Sequence, residues 1–558
     1  MTMVSINRLK KIALPAVILA IFLGTATSTA LKKSNTWDES AHILAGYSYL
    51  KDGNDGLSPL NHPVFGRATI ALLPRVLLNL DYDSRVKPEE APGSNFFPYS
   101  LKFLFENKVD GKNILLLSRL SIILLGALLG AYVYVWSKEL WGTKGAVLSL
   151  VFYALCPNII ANSSLATTDM PVTAFFFISV FYLYRMVTMG VTIKGALIAA
   201  IFTAFALTSK HTALLLALII AFAFLLNLRT DGLKKTILCY AVLISAVYIL
   251  IWAVYAFRYQ WSGPYYVPLF WDKFAHLPVA PLFAFLRKIH FLPEAYLYSI
   301  NGTLAGAGAG RAAFLMGEYS SAGWWYYFIV AFIIKTPIPT LLFLTAALVY
   351  MSTDRENLKK TVFLVLPALV IFTAISMQKV NIGFRHVLPA YPFIFTLIGY
   401  VPGISSMRKK AARVVFYGFI VWYLYGAAFI HPDELAYFNE FVGGPKNGYK
   451  YLVDSNLDWG QDLIGLKKYI DEHKIEKIKL SYFGFSDPAY YGIKYEYLPS
   501  YAIPNPHIER HDVPLKGYFA ISATMLQGVY LSDRDFYKVF RDVEPIDTIG
   551  YSIFIYKF

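Results

Sequence analysis

Long apolar stretches recur along most of the chain and constrain its fold more than any other feature. A helix that crosses a bilayer needs about 20 mostly apolar residues. The sequence is 56% hydrophobic and 16% charged, whereas soluble domains carry about 25% charged residues. It therefore predicts a polytopic α-helical membrane protein with about eleven transmembrane helices. The predicted spans are 12–30, 114–136, 144–165, 171–188, 193–208, 211–228, 236–257, 324–350, 362–376, 387–402 and 412–430.

Basic residues alternate with the predicted spans and set their orientation. Short cytoplasmic loops carry an excess of Lys and Arg, so Lys10 and Lys11 place the N-terminus in the cytoplasm. An odd number of spans then sends residues 431–558 to the opposite, outer side. The first span could alternatively be a signal peptide, because the small residues "TATSTA" lie near its end. The other basic connections carry Lys138 and Lys144; Lys194; Arg229, Lys234 and Lys235; Arg355, Lys359 and Lys360; and Arg408, Lys409, Lys410 and Arg413.

The formal net charge of +15 is attributed to these loops, which face anionic lipid head groups. No basic run or stacking motif accompanies the charge, so nucleic acid is not a predicted partner. Cys156 and Cys239 lie inside apolar segments and are predicted to be core residues without a disulfide.

Near the start of the outer loop 31–113, residues 35–53 read "NTWDESAHILAGYSYLKDG", in which two adjacent acids are closely followed by a histidine. Apolar residues at helical spacing predict an amphipathic helix that lies on the outer surface. Asp38 and His42 are four residues apart and share one face of this helix. A carboxylate at a helix start is also favoured by the helix dipole, which is the purely structural explanation of Asp38.

Residues 431–558 change in character and predict a small α/β soluble domain on the outer side. Strands are predicted within 477–485, 517–522 and 551–558, and a helix is predicted to end near Lys474. Asp454, Asp458 and Asp462 recur at four-residue spacing. They predict a solvated acidic face, with a Ca²⁺ site as the alternative.

The predicted outer side holds the polar groups that chemistry would need. No phosphate-binding glycine loop of a nucleotide site is found, and "GTLAGAGAGR" at 302–311 is interpreted as a flexible outer loop. An enzyme on this side requires a donor delivered through the membrane, such as a polyprenyl-phosphate-linked sugar. Such an enzyme needs a carboxylate base, cations for the phosphate leaving group and an apolar groove for the lipid.

Five motifs occur in a characteristic order: "WDESAH", "NHPVFGR", "ATTDMP", "LTSKHTALLL" and "GFRHVLPAYPF". Over about residues 5–430 the chain resembles the membrane-embedded C-type (GT-C) glycosyltransferases, specifically the protein O-mannosyltransferases and the aminoarabinose transferase of lipid A. The resemblance implies a transmembrane glycosyltransferase domain at 1–430 followed by an extracytoplasmic domain at 431–558. The tail motif "LVDSNLDWGQDLIGLKKYI" is similar to one in bacterial members of that group and has no assigned role.

The resemblance implies roles for individual residues. Asp38 matches the general base, and Glu39 matches a second acid that positions Asp38 or binds an ion. Lys210 and Arg385 match cations that hold the donor phosphate, and a guanidinium can grip phosphate with two hydrogen bonds. His62 falls where relatives carry a basic residue, which makes it a candidate phosphate ligand, although a histidine is a weaker cation than a lysine at neutral pH.

Asp169 matches the acid of a second outer loop, and His42 is a further candidate on the acceptor side. No cofactor is expected, because the resemblance implies metal-free chemistry. The alternative is a divalent metal site formed by Asp38, Glu39, His42 and Asp169, since carboxylates and imidazoles suit Mn²⁺ or Zn²⁺.

The resulting hypothesis is an inverting glycosyltransferase in the plasma membrane of a bacterium or archaeon. It would move a sugar from a polyprenyl-phosphate donor to a hydroxyl of a lipid, glycan or protein. A transporter or flippase for a lipid-linked or anionic solute is the main alternative, because intramembrane charges serve that function as well.

Overall fold

The structure, a computed structural model, describes residues 3–53, 62–82, 96–260, 269–501 and 514–558. Helices make up nearly all regular structure before residue 431. They are α1 (Met3–Lys32), α2 (Glu39–Asp52), α3 (Val64–Ile70), α4 (Leu72–Leu77), α5 (Phe96–Phe105), α6 (Gly111–Ala154), α7 (Pro157–Ser163), α8 (Asp169–Thr188), α9 (Ile193–Leu207), α10 (Leu216–Thr230), α11 (Leu233–Val254), α12 (Ala280–Lys288), α13 (Glu294–Ala309), α14 (Tyr327–Lys335), α15 (Ile338–Ser352), α16 (Arg355–Ser376), α17 (Tyr391–Ile398) and α18 (Lys410–Ile430). A short hairpin of β1 (Ala313–Leu315) and β2 (Glu318–Ser320) follows α13.

By length and composition, six helices of the described part can cross a membrane, or seven if the bent pair α14–α15 is one span. They are Ala13–Lys32, Gly111–Ala154, Asp169–Thr188, His211–Thr230, Leu233–Val254 and Lys410–Ile430. The predicted polytopic helical class is confirmed. The number differs from eleven because several apolar segments form shorter or broken helices, such as the 15-residue α9 and the 8-residue α17.

Two of the interruptions have local causes. Gly142 inside α6 has a left-handed φ of 72°, a conformation that is open mainly to glycine, and it separates the predicted spans 114–136 and 144–165. The predicted span 324–350 bends by 110° between α14 and α15. Pro337 follows α14 there, and a proline disfavours helical backbone in the residue before it.

The helix predicted after the first span exists as α2, but it does not lie on the surface. Every residue from Glu39 to Ser48 is buried, so the predicted amphipathic surface helix is wrong. Gly46 allows close packing on the face of α2 that was predicted to be solvated, because a Cβ there would lie 2.1 Å from the main-chain oxygen of Arg67. Helix α3 therefore covers the face that was predicted to be solvated.

The glycine-rich segment 302–311 also differs from its prediction. Most of it belongs to α13 and is helical. Glycines cost about 1 kcal/mol each in a helix interior, but the first half of α13, Glu294–Asn301, is buried and anchors the rest by packing. The flexible loop predicted here is wrong.

The C-terminal region contains the predicted small α/β unit. Its strands are β3 (Ile478–Ser481), β4 (Tyr495–Tyr497), β5 (Tyr518–Ser522), β6 (Asp547–Ile549) and β7 (Ile553–Lys557), and its helices are α19 (Leu463–Glu472), α20 (Ala523–Leu526) and α21 (Lys538–Arg541). The sheet order is β4-β3-β5-β7-β6. β3 runs parallel to β4 and β5, whereas β7 is antiparallel to β5 and β6. Apolar residues of α19 pack against this sheet.

The segment that follows α1 is tied to the chain just before α19. Lys33 forms ion pairs with Asp433 and with Asp462, the latter at 2.6 Å. The main-chain nitrogen of Ser34 donates to the oxygen of Gln461 at 2.8 Å. The tail is thus fixed to the helical region by buried charges, and the division at residue 430 remains a prediction.

The three spaced acids of the tail are not a solvated face. Asp454, Asp458 and Asp462 are 6%, 0% and 3% exposed. Asp454 accepts a hydrogen bond from Tyr530, Asp458 accepts one from the main-chain nitrogen of Thr524, and Asp462 binds Lys33. These carboxylates therefore hold the tail together, and the solvated acidic face predicted from their spacing is wrong.

Membrane topology gives the first test. Because α18 is one span between them, Lys409 and Phe558 should lie on opposite sides. A reporter that is active only outside the cytoplasm should be active after Phe558 and inactive when inserted beside Lys409. The reverse pattern would overturn the predicted orientation, and equal activity at both sites would show that α18 does not span.

Candidate active site

Four chain segments that are far apart in sequence bring charged side chains to one place. Asp38 directly precedes α2, and Asp169 is the first residue of α8. Lys210 lies between the end of α9 and a 3₁₀ helix, His211–Leu215. Arg385 is in the 3₁₀ helix Phe384–Ala390 that leads into α17. Each of these side chains stands at or near a helix end, where the chain changes direction.

The charges form an alternating network. Arg385 Nη1 donates to Asp38 Oδ2 at 2.8 Å and lies 3.9 Å from Asp169 Oδ2. Lys210 Nζ donates to Asp169 Oδ1 at 2.6 Å. The Asp169 side chain is only 3% exposed, whereas that of Asp38 is 24% exposed. Asp169 is therefore the buried centre of the network, and Asp38 is its more accessible acid.

Asp38 remains ionised in this setting. Burial alone would raise the pKa of its carboxyl, but the charge and the hydrogen bond of Arg385 outweigh burial and lower the pKa below its usual value. Its side chain makes no capping hydrogen bond to α2. Its position at the start of α2 agrees with the helix-dipole explanation, but its side-chain hydrogen bond is with Arg385.

The nearby histidines are neutral. Burial, reinforced by the charge of Arg67, lowers the pKa of His42 to about 4. Burial also lowers the pKa of His62 well below its usual value, together with the charges of its neighbours. The two rings meet edge to face with centroids 5.2 Å apart, and His62 Nδ1 lies 3.5 Å from Thr168 Oγ1. His62 thus offers hydrogen bonding in place of the positive charge expected of a phosphate cation.

One polar cavity of about 200 Å³ unites these groups. Six of the seven candidate residues line it: Asp38, His42, His62, Asp169, Lys210 and Arg385. Gly302 and Gly306 of α13 also face it, so a helix surface without side chains forms part of the wall. The four-residue spacing of these glycines is the signal in the sequence that indicates such a helix face, in contrast to the loop predicted for 302–311.

An apolar cavity of about 230 Å³ adjoins the polar one. The two share His211, Thr212, Thr303, Ala307, Gln378 and His386 as lining residues. Beyond them the wall is hydrophobic and is formed by Phe176, Leu214, Leu215, Ile300, Leu304, Ile371, Ala374, Ile375 and Pro389. The site therefore has a charged compartment directly beside an apolar one.

Several buried polar atoms of the cavity residues have no hydrogen-bond partner in the described part of the structure. They are His211 Nδ1, Thr212 Oγ1, Arg385 Nε and His386 Nε2. A buried polar group without a partner costs about 1–3 kcal/mol. These four groups are therefore free to form hydrogen bonds with a polar ligand.

Glu39 is the one candidate residue that does not line the cavity. Its carboxylate accepts from Arg119 Nε at 2.8 Å and Nη2 at 2.7 Å, and also from Thr36 and from the main-chain nitrogen of Ala166. The side chains of Glu39 and Arg119 are 0% and 1% exposed. Direct contact of Glu39 with substrate is thus unsupported, and the positioning role left open by the resemblance fits better.

The alternative metal site is not assembled. Both carboxylate oxygens of Glu39 are occupied by Arg119, and Asp38 and Asp169 are bound to cations. Across the described residues, no group of three or more histidine, cysteine or acidic side chains is arranged to hold a metal ion.

Residues 104–255 match the family model described as dolichyl-phosphate-mannose-protein mannosyltransferase. The predicted resemblance to this family is confirmed over these residues. The matched part covers about a quarter of the chain and contains Asp169 and Lys210, whereas Asp38 and Arg385 lie outside it. Among curated protein sequences, none matches this chain.

Two solved structures are similar to this chain at low sequence identity. ArnT from Cupriavidus metallidurans, bound to undecaprenyl phosphate, is 10% identical with a TM-score of 0.49, and the match covers 97% of each chain. The oligosaccharyltransferase AglB from Archaeoglobus fulgidus, in complex with an inhibitory peptide and a dolichol-phosphate, is 10% identical with a TM-score of 0.47. That match covers 94% of this chain and 71% of AglB. Both similarities are distant, so the function has to follow from the residues of this chain.

The Glu39–Arg119 pair gives a stability test. Arg119→Met should destabilise the protein by about 3–5 kcal/mol, because it leaves a buried carboxylate without its partner. Arg185→Met is the control, since Arg185 is 40% exposed in its 3.7 Å pair with Glu139 and an exposed pair contributes about 1 kcal/mol or less. Thermal unfolding in detergent measures both. Equal effects would contradict the structural role of the buried pair.

Proposed function

We propose that the chain is an inverting glycosyltransferase that moves a sugar from a polyprenyl-phosphate donor to an acceptor hydroxyl on the outer side of the membrane. The observation that carries this proposal is the charged cavity directly beside the apolar one. A polyprenyl-phosphate sugar has the same division, with a long apolar chain, an anionic phosphate and a polar ring. The family match supports the same class of donor.

The phosphate would bind between Lys210 and Arg385. Both cations line the cavity, and charge-assisted hydrogen bonds to phosphate are among the strongest that proteins form. Arg385 Nε and Thr212 Oγ1 lack partners and supply further donors. These groups would also stabilise the negative charge that develops on the phosphate as the sugar leaves.

Asp38 would act as the general base. It is ionised, lines the cavity and is the more exposed of the two acids. It would take the proton of the acceptor hydroxyl as the oxygen attacks the anomeric carbon and the bond to the phosphate oxygen breaks. Attack from the side opposite the phosphate inverts the configuration at that carbon.

Arg385 links the base to the donor. Without donor it binds Asp38 at 2.8 Å, which lowers the basicity of that carboxylate. A phosphate that draws the guanidinium toward itself weakens this bond, so the pKa of Asp38 rises as the donor arrives. The base thus becomes stronger when a sugar is in place to react.

The apolar cavity would receive the first isoprene units of the donor. Its wall is formed by Ile300 and Leu304 of α13 and by Ile371 and Ile375 of α16. Glycines at 302 and 306 let the lipid phosphate pass close to the backbone of α13. The acceptor can be a lipid, a glycan or a protein. The proposal also places the C-terminal domain on the outer side of the membrane.

Asp38→Asn separates chemistry from binding. The variant should lose about 10²- to 10⁴-fold in turnover, which is the typical contribution of a positioned base. Donor binding should stay equal or become tighter, because Arg385 is released from a carboxylate. The measurements are sugar transfer from a radiolabelled donor and donor affinity on the same preparation.

Lys210→Gln is the matched contrast, because it should weaken donor binding by about ten- to hundredfold through the loss of a charge-assisted hydrogen bond. Full turnover of Asp38→Asn would exclude Asp38 as the base. Transport of a lipid-linked solute without any sugar transfer by the wild-type protein would favour the flippase alternative.

Gly306→Leu tests the lipid path. A Cβ at Gly306 or at Gly308 meets no atom within 4 Å, so both positions have room for the start of a side chain, but of the two only Gly306 lines the cavity. Gly306→Leu should weaken donor binding by about five- to hundredfold, as expected for 1–3 kcal/mol of overpacking. Gly308→Leu should bind the donor normally. Equal binding by both variants would place the donor elsewhere.

A further inference from the structure

The tail motif "LVDSNLDWGQD" at 452–462 contributes no residue to the mechanism proposed above and forms no α-helix or β-strand. Every residue from 452 to 463 is buried. Irregular segments normally lie on the surface, because their polar main-chain groups need partners. A buried segment of this kind is therefore held by specific contacts. Several of these contacts are with residues that line the cavity or are adjacent in sequence to such residues.

Trp459 contacts the phosphate-side cation directly. Its ring lies under the guanidinium of Arg385, with 4.2 Å between the guanidinium carbon and the ring centroid, and the indole is 2% exposed. At another edge the same guanidinium binds Asp38. Arg385 is thus held from two directions, by a carboxylate at its edge and by an aromatic face beneath it.

The backbone of Trp459 holds the other partner of that ion pair. Its main-chain oxygen accepts from the nitrogen of Trp37 at 3.1 Å, and Trp37 directly precedes Asp38. One residue of the tail therefore fixes both the cation, through its ring, and the neighbour of the base, through its backbone.

The residues just before Trp459 fix the backbone that carries Arg385. Asn456 Oδ1 accepts from the main-chain nitrogen of Phe384 at 2.8 Å, and Ser455 Oγ donates to the oxygen of Ile382 at 2.9 Å. A Cβ on Gly383 would lie 2.2 Å from Ser455 Oγ, so the two segments pack without space between them. Side-chain and main-chain contacts thus converge on one short stretch, 382–385.

We infer that Trp459 is a positioning residue for donor binding, which sets the Arg385 guanidinium at the phosphate site and couples the tail to the catalytic cavity. The inference rests on the proposed function. A desolvated cation over an indole is attracted to the ring beyond simple packing, so an aliphatic side chain that fills the same space does not replace it. The tail motif is then part of the active site.

The test measures binding of undecaprenyl phosphate to the full chain in detergent, together with its thermal unfolding. Trp459→Leu should bind the lipid phosphate about three- to thirtyfold more weakly, which corresponds to the usual range of cation–π attraction. Trp459→Phe keeps an aromatic face and should lose less. Trp136→Leu is the control, because Trp136 is 0% exposed and lies among aromatic residues away from the cavity; it should lose stability but not affinity.

A second measurement does not depend on how the leucine variant folds. Fluorinated tryptophans at position 459 keep the shape of the indole and progressively weaken its negative face, so affinity should fall stepwise with fluorination. Unchanged affinity along this series, or equal losses in Trp459→Leu and Trp136→Leu, would overturn the inference. Failure of the wild-type chain to bind undecaprenyl phosphate or any longer polyprenyl phosphate would instead overturn the proposed function, and the donor-binding role of Trp459 with it.

Discussion

The arrangement of the site depends on a single buried guanidinium, that of Arg119. An arginine has five N–H donors, and all five are used: two to the carboxylate of Glu39 and three to the main-chain oxygens of Ala30, Lys33 and Ser34. A buried ion pair is tolerable only when its remaining hydrogen bonds are satisfied. Here these hydrogen bonds hold the chain at the end of α1 against α6, which carries Arg119.

The carboxylate of Glu39 extends the same constraint to Asp169, the other acid of the cavity. Glu39 accepts from the main-chain nitrogen of Ala166 at 2.8 Å, three residues before Asp169. The residue that follows Asp38 in the chain therefore also holds the turn that presents Asp169. The adjacent acids of "WDES" therefore differ in role. The buried Glu39 binds Arg119 and the main chain of Ala166, whereas Asp38 lines the cavity.

The sequence was informative about the site because its charged residues stand where charge is expensive. A carboxylate or an amine among apolar helices is costly unless it serves a purpose, and six of the seven residues selected on motif grounds line one cavity. The helix predicted from the apolar periodicity after Asp38 is also present, as α2. The sequence does not show that α3 covers α2. The two helices pack at Gly46 through main-chain contact, and no pattern of polar residues indicates such a contact.

The polar contacts of the tail also could not be predicted from the sequence. The spacing of Asp454, Asp458 and Asp462 is typical of a solvated helix edge, but their partners, among them Lys33 and Tyr530, are distant in sequence. Likewise, nothing near Trp459 in the sequence indicates that a cation lies over its ring. Local patterns predict local elements, whereas buried polar contacts between distant segments appear only in the folded chain.

A structure of the chain with undecaprenyl phosphate bound would show whether the paired cavities hold a polyprenyl phosphate. Phosphate oxygens should lie at about 3 Å from Lys210 Nζ and Arg385, with the prenyl chain leaving between α13 and α16 and the Asp38 carboxylate released from the guanidinium. A lipid phosphate bound away from both cations, with the Arg385–Asp38 pair intact, would contradict this prediction.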